Sequence, residues 1–283
     1  MTDTQLLTDK PESRVVVVRP TKGFATINFK DLWAYRELIY FLIWRNVKVR
    51  YKQTVLGFAW AILRPFLSMV VFSIFFGSLA QMPSDNIPYP IFSYSGLLPW
   101  ELFSVALMQA STSLVGSGNM ITKVYFPRLV LPISSVLSGL VDFVIAFLVL
   151  IVMMMVYHIT PTPAIWTLPL FLLLALITAI GVSLWLSALN VMYRDINYVL
   201  PFINQLWMYI TPIVYSSSIV PASWQLVYAL NPMAGVVQGF RWALLGTASP
   251  GPMLWISVCV SIAMLISGLF FFRRMEHTFA DMV

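Results

Sequence analysis

Long apolar runs separated by short polar breaks make up most of this chain, and one stretch sets the pattern. From Asp31 to Lys52 apolar residues recur at helical spacing (Leu32, Tyr35, Ile39, Leu42, Val49), while Arg36, Glu37, Arg45, Lys48, Arg50 and Lys52 fill much of what remains. A helix with an apolar stripe, aromatic rings and a basic side lies along a membrane surface. From Val55 the charges nearly vanish for about 25 residues, enough to span about 30 Å of hydrocarbon. Five further apolar runs follow, at Ile91–Val115, Leu131–Tyr157, Leu168–Val191, Tyr198–Val220 and Met253–Phe272, each near the length a crossing helix needs. The pattern predicts an all-α polytopic membrane protein with six transmembrane helices preceded by an amphipathic interfacial helix.

Six spans put both termini on one side, and the loops choose the side. Gln81–Pro90 and His158–Thr167 contain no Lys or Arg, and Ser216–Pro252 contains only Arg241. The opposite loops and tail hold Lys123, Arg128, Arg194, Arg273 and Arg274. The positive-inside rule therefore makes both termini cytoplasmic. No internal repeat is visible, which argues against a secondary transporter built from two similar halves. The outer loop before the last run contains Pro221, Asn231-Pro232, Gly239 and Pro250-Gly251-Pro252 among apolar residues. Its helical pieces, Ala222–Leu230 and Met233–Leu245, would be about 14 and 20 Å long, too short to cross. They fit a re-entrant outer hairpin better than two helices on the outer surface. The resulting parse is a cytoplasmic tail (1–30), an interfacial helix (31–52), a six-span domain (53–272) with a hairpin at 222–245, and a cytoplasmic tail (273–283).

Composition sharpens this picture. Of 283 residues 59% are hydrophobic and 10% charged, against about 25% charged in soluble domains. The net charge of +6 does not imply a nucleic-acid partner, because ten of the seventeen Lys and Arg lie in the first 52 residues, beside an anionic leaflet. A single cysteine, Cys259, excludes an intramolecular disulfide, and the N-terminus lacks the apolar core of a signal peptide but carries a possible short strand at Val15–Val18.

Three charges fall inside the spans. Arg64 lies about 14 Å from the inner end of the first, Asp142 about 16 Å from the inner end of the third, and Glu101 about 15 Å from the outer end of the second. Their shared depth predicts that Arg64 pairs with Glu101 or Asp142; the other reading is that Arg64 meets an anionic substrate group. Conventional catalytic and metal chemistry is poorly represented. The sequence contains no G-x-x-x-x-G-K-[ST], and its two histidines, His158 and His277, fall on opposite sides of the expected membrane. A membrane-embedded glycan-modifying enzyme would need a carboxylate or histidine cluster at one face. Trp100, Trp207, Tyr215, Trp224 and Tyr228 belong to an aromatic set that suits an interfacial belt by default, or sugar stacking if some face a pore.

An ordered set of motifs resembles a known family. It comprises Tyr51-Lys-Gln-Thr-Val-Leu-Gly57 with Trp60 and Pro65, Gly96-Leu-Leu-Pro-Trp100, and Asn119-Met-Ile-Thr-Lys-Val-Tyr-Phe-Pro127. Tyr193-Arg-Asp195, Thr211-Pro-Ile-Val-Tyr215 and Asn231-Pro232 followed by Gly239-Phe-Arg241 complete it. In order and spacing these resemble the transmembrane subunit of ABC exporters of lipid-linked polysaccharides, the Wzm, capsule and teichoic-acid permease group. The resemblance implies a homodimer in the bacterial inner membrane with two copies of a separate ATPase, which would carry ATP and magnesium; this chain would need no cofactor. It implies ATPase contact through residues 31–52 and 117–127, with Arg36, Arg45, Asn119, Lys123 and Tyr125 as coupling residues, joined by Arg194 and Asp195 of the next cytoplasmic loop. Residues 222–245, with Pro221, Asn231, Pro232, Gly239 and Arg241, would form a gate hairpin. The implied substrate is an undecaprenyl-linked glycan, whose pyrophosphate would meet Arg50, Lys52 and Arg64. A permease of the same fold for drugs or simple lipids is the alternative.

Overall fold

A computed structural model describes residues 29–282 except 53 and 55; the strand expected at Val15–Val18 lies outside them. The described residues are all-helical. The chain runs through α1 (Phe29–Ala34), α2 (Arg36–Tyr51), α3 (Ala59–Phe72, continued by a π-helical turn to Leu79), α4 (Tyr89–Ser113), α5 (Gly118–Lys123) and α6 (Val130–Val156). It continues through α7 (Leu168–Met192), α8 (Ile196–Ile210), α9 (Gln225–Ala229), α10 (Pro232–Leu245), α11 (Met253–Met275) and α12 (Phe279–Met282). Five helices are long and apolar enough to cross a membrane, and α4 is the one the others surround: 78% of its apolar window is buried, against 17–33% for the rest. It packs on α3, α6, α7, α8 and α10.

The run expected to cross at Tyr198–Val220 is interrupted. Its helix, α8, has 15 residues and ends at Thr211, whose extended backbone (φ −85°, ψ 140°) precedes Pro212. Proline disfavours the helical region for the residue before it, so this break is written in the Thr211-Pro212 pair. Beyond it the chain is unwound to Ser216, and the Arg241 guanidinium takes up its carbonyls. Arg241, 3% exposed, donates to Pro212 O (2.5 Å), Ile213 O (2.7 Å) and Tyr215 O (3.4 Å), and to Phe92 O of α4 through Nε and Nη2 (3.2 and 3.1 Å). The same group lies 3.5 Å over the Phe92 ring. Gly96 makes room for it, since a Cβ there would sit 2.8 Å from Arg241 Nη2.

The segment expected to form a hairpin at 222–245 is also shorter in helix than its pattern suggests. Ala222–Trp224 forms a 3₁₀ turn, α9 has five residues, and Asn231 caps α10 by accepting from Met233 N (3.1 Å). Asn231 also accepts from the Trp207 indole (3.0 Å) and donates to Thr211 Oγ1 (3.0 Å), tying the hairpin to the break after α8. Helix α10 is buried along most of its length, between α4, α7 and α11, and ends at Gly246 in the left-handed region (φ +73°).

Helix α2 is separated from α1 at Tyr35, and it runs beside the first half of α6 rather than across the end of the bundle. Its Arg45–Arg50 segment lines a groove with Leu131, Ser134 and Ser135 of α6, and its last turn reaches Asp142. A second buried cluster closes the end of the bundle that carries Lys123, Arg128 and Arg194. There Leu42 of α2, Ile121 of α5 and Phe126 share one core with Leu184 and Val191 of α7, Phe272 of α11 and Phe279 of α12.

Helices α7 and α11 approach closely through small residues, a device suited to surroundings where apolar burial does not distinguish helix from lipid. Thr178 and Ser261 share a hydrogen bond of 2.9 Å, Trp185 stacks on Phe271 at 4.0 Å, and a Cβ on Gly181 would lie 2.6 Å from Leu265 N. Gly181→Leu should therefore force the pair apart, at a cost of about 1–3 kcal/mol. Heating purified protein in detergent and following the monodisperse peak checks this; loss at a lower temperature than wild type is expected.

Candidate functional site: a charged cavity and the groove below it

At mid-height, between α2, α3, α4 and α6, lies a cavity of about 300 Å³ lined by Arg50, Tyr51, Arg64, Glu101, Gln109 and Asp142, with Trp60 among its apolar walls. Helical spacing brings these residues together. Glu101, Val105 and Gln109 follow one face of α4 at intervals of four, and Ser138 and Asp142 do the same on α6. The last turn of α2 supplies Arg50 and Tyr51 from the side, and the first turns of α3 supply Trp60 and Arg64.

Arg50 is the hub. It forms an ion pair with Asp142 and donates to Gln109 Oε1 and to Ser138 Oγ (3.0 Å). The Tyr51 hydroxyl donates to the second oxygen of Asp142. The paired side chains are only 19% and 20% exposed, so each desolvated charge depends on the other. Among the described residues the only other ion pair is Arg273 with Glu276 (2.8 Å). Asp142 is thus taken by Arg50, not Arg64. Counting depth along the sequence put Arg50 at the membrane boundary, but α2 climbs beside α6 and carries Arg50 to Asp142. Arg64 and Glu101 face the cavity with no ion pair among the described residues, and Arg64 is exposed.

Below the cavity, toward the α5 end of the bundle, a groove of about 510 Å³ runs between α2, α4 and α6. Arg50 and Gln109 line both spaces, so the ion pair stands where they join. The groove carries Arg45, Asn46, Thr112, Ser113, Ser134 and Ser135, with no carboxylate in its lining.

The remaining singled-out residues are scattered. Lys52 is exposed at the end of α2. Trp100, 2% exposed, packs on Phe103 inside the subunit, and Trp207 is engaged with Asn231. Tyr215 donates to Ile210 O (3.0 Å), Tyr228 is half-buried on α9, and Trp224 is exposed. Asn119, Lys123 and Tyr125 are exposed around α5, as are Arg194 and Asp195 at the turn before α8. Arg36 is exposed beside Trp33, whereas Arg45 turns into the groove. Pro221 is exposed, Pro232 opens α10, and Gly239 lies flush against the Phe171 ring. Tyr51, Gln109 and Ser138 are the site residues that apolar-run counting overlooks. Ser138 lies one turn before Asp142 on α6 and Gln109 two turns after Glu101 on α4, each a polar residue on the same face as a partly buried carboxylate, and Tyr51 adjoins Arg50.

With this geometry in place, comparison with known proteins is informative. Residues 37–245 match the sequence profile of the family described as ABC-2 type transporter. The O-antigen export system permease protein RfbA of Myxococcus xanthus is 30% identical over 90% of this chain and 98% of its own length. The protein of the same name from Klebsiella pneumoniae is 27% identical over 87% and 95%. The polysialic acid transport protein KpsM of Escherichia coli is 24% identical over 83% and 92%.

The Arg50–Asp142 assignment predicts the outcome of charge exchange. Asp142→Asn or Arg50→Asp alone should lower thermal stability by about 3–5 kcal/mol at most, since the pair retains some exposure. The double variant Arg50→Asp, Asp142→Arg should recover much of the loss, whereas Arg64→Asp with Asp142→Arg should recover none. Melting of the four purified variants distinguishes the two pairings.

Proposed function

The chain belongs to the ABC-2 type transporter family, and on that premise we propose that it is the transmembrane subunit of an ABC exporter that moves a lipid-linked polysaccharide of O-antigen type across the bacterial cytoplasmic membrane. The observation that carries this reading is similarity over nearly the whole chain to O-antigen export permeases. In this reading the chain is a transport subunit and not an enzyme. A separate ABC ATPase binds ATP and magnesium and supplies the energy. Two copies of the chain pair with two ATPases, the glycan hangs on undecaprenyl pyrophosphate, and both termini face the cytoplasm. The outward apolar faces of α3 (Phe66, Leu67, Val71) and α8 (Phe202, Leu206, Ile210) offer surface for a second copy or for lipid. The fifth of the six crossings is α8 together with the unwound segment that Arg241 holds, and α9–α10 is the re-entrant gate hairpin.

The packing supports a mechanical route from the ATPase to the cavity. Helix α5 and the segment after it present Asn119, Lys123 and Tyr125 outward while Ile121 and Phe126 lock into the core shared with α2, α7, α11 and α12. A push on α5 therefore moves a block and not a loop. The far end of α2 is tied to α6 through Arg50 and Asp142, so displacement of that block reaches the middle of the bundle. Relatives named for O-antigen and polysialic acid favour a glycan over a drug or a simple lipid as cargo.

Deleting the gene should strip the polymer from the cell surface and leave it inside on its lipid carrier, read by surface labelling against a cytoplasmic extract. Unchanged surface glycan in a strain without a second exporter overturns the proposal. Tyr125→Ala with Lys123→Ala should reduce export while the protein still reaches the membrane, because those side chains contribute contact with the partner and little to the core.

A further inference from the structure

The groove and the cavity above it have a property that export alone does not require. Going from the α5 end inward, the tract is lined first by Arg45, an amide and several hydroxyls with no acid, then by Arg50, and only then by carboxylates. An anion moving along it first meets the Arg45 guanidinium, which has no ion-pair partner among the described residues, and reaches Arg50 next, whose fork is occupied by Asp142, Gln109 and Ser138. Beyond that stands Arg64, which has no ion-pair partner among the described residues. Guanidinium binds phosphate oxygens in the same bidentate fashion as carboxylate, and a diphosphate brings more charge and more acceptor oxygens than one Asp.

The hydroxyls suit the group attached to such an anion. Thr112, Ser113, Ser134 and Ser135 each donate to a carbonyl of their own helix at 2.7–3.1 Å. Each oxygen keeps acceptor capacity, and its proton can rotate toward a ligand. A sugar ring, with hydroxyls that both donate and accept, matches that wall; an acyl chain does not.

We propose that this tract within one subunit binds a glycosyl diphosphate, sugar against the α4 and α6 hydroxyls and diphosphate on Arg45, and that the diphosphate takes Arg50 from Asp142, releasing the latch between α2 and α6. The inference rests on the export reading above and adds where the cargo's diphosphate docks and what it does there. Because α2 shares a core with α5, occupancy of the tract is sensed at the surface offered to the ATPase. No bond is made or broken; a carboxylate and a diphosphate exchange one guanidinium.

The test uses the chain in complex with its ATPase in lipid nanodiscs, without nucleotide. Thr112→Cys is introduced with Cys259→Ser, which removes the native exposed thiol. Thr112 is exposed in the groove, and the change to cysteine is small. Maleimide labelling of the Thr112→Cys thiol should slow about tenfold with a polyprenyl diphosphate carrying one sugar, and little with the corresponding monophosphate. Arg45→Gln should raise the half-protecting concentration about tenfold or more, and Asp142→Asn should lower it several-fold by freeing Arg50. Unprotected labelling, or equal shifts in the same direction for Arg45→Gln and Asp142→Asn, overturns the tract and its latch. Equal protection by a nucleotide sugar of the same diphosphate overturns the lipid-borne source. The outcome separates from the export reading: surface glycan lost on deletion with no protection here leaves export standing and removes this site, whereas unchanged surface glycan removes export whatever the labelling shows.

Discussion

The buried guanidinium of Arg241 is the interaction on which the half of the molecule around the α8 break and α9–α10 depends. Unwound backbone within an apolar bundle is costly, because carbonyls cut off from water lose several kcal/mol each unless a donor reaches them. The break at Thr211-Pro212 creates such carbonyls, and Arg241 answers three of them while also engaging Phe92 of α4. One side chain thereby joins the hairpin, the end of α8 and the central helix. Among the described residues no carboxylate forms an ion pair with it, and the carbonyl dipoles and the Phe92 ring surround its charge instead. Asn231 repeats the logic on a smaller scale, capping α10 while holding Trp207 and Thr211. Farther out, Asp85 accepts from Ser216 (2.7 Å) and Ser218 (3.3 Å), fastening the loop before α4 to the same segment.

The half around α2 and α5 uses a different device. The pair between Arg50 and Asp142 costs desolvation, and a well-packed apolar pair would serve stability about as well. What charges offer in addition is exchangeability: an ionic partner can be displaced by another ion, whereas a packed leucine cannot. Placing that pair at the end of α2, the same helix that shares a core with α5, gives a chemical event in the middle of the bundle a short path to its end. Proteins transmit displacement through packed elements with discrete arrangements, and a helix anchored at one end by a core and at the other by a salt bridge is one.

Small residues complete the arrangement. Gly181 lets α7 meet α11 at backbone distance, Gly96 admits the guanidinium, and Gly239 admits the Phe171 ring. In each case a missing Cβ is a contact made, which is how helices associate where burying apolar surface provides little preference.

The amino-acid pattern alone established the all-helical architecture, because a chain that is 59% hydrophobic in runs of crossing length has few other ways to satisfy its backbone. It did not show the break at Thr211-Pro212, because hydropathy runs on apolar through that pair while the backbone there leaves the helix. It located Arg64, Glu101 and Asp142 at one depth, since rise per residue is constant. Their pairing was not determined there. Depth orders residues along one axis, whereas a partner is chosen by angle around it and by which helix lies alongside. The tilt of α2, the burial of Trp100, and the union of Tyr51, Gln109 and Ser138 around Arg50 follow from packing between segments up to 92 residues apart. Only the tertiary structure decides those, because contact energies between distant segments do not appear in the periodicity of either one.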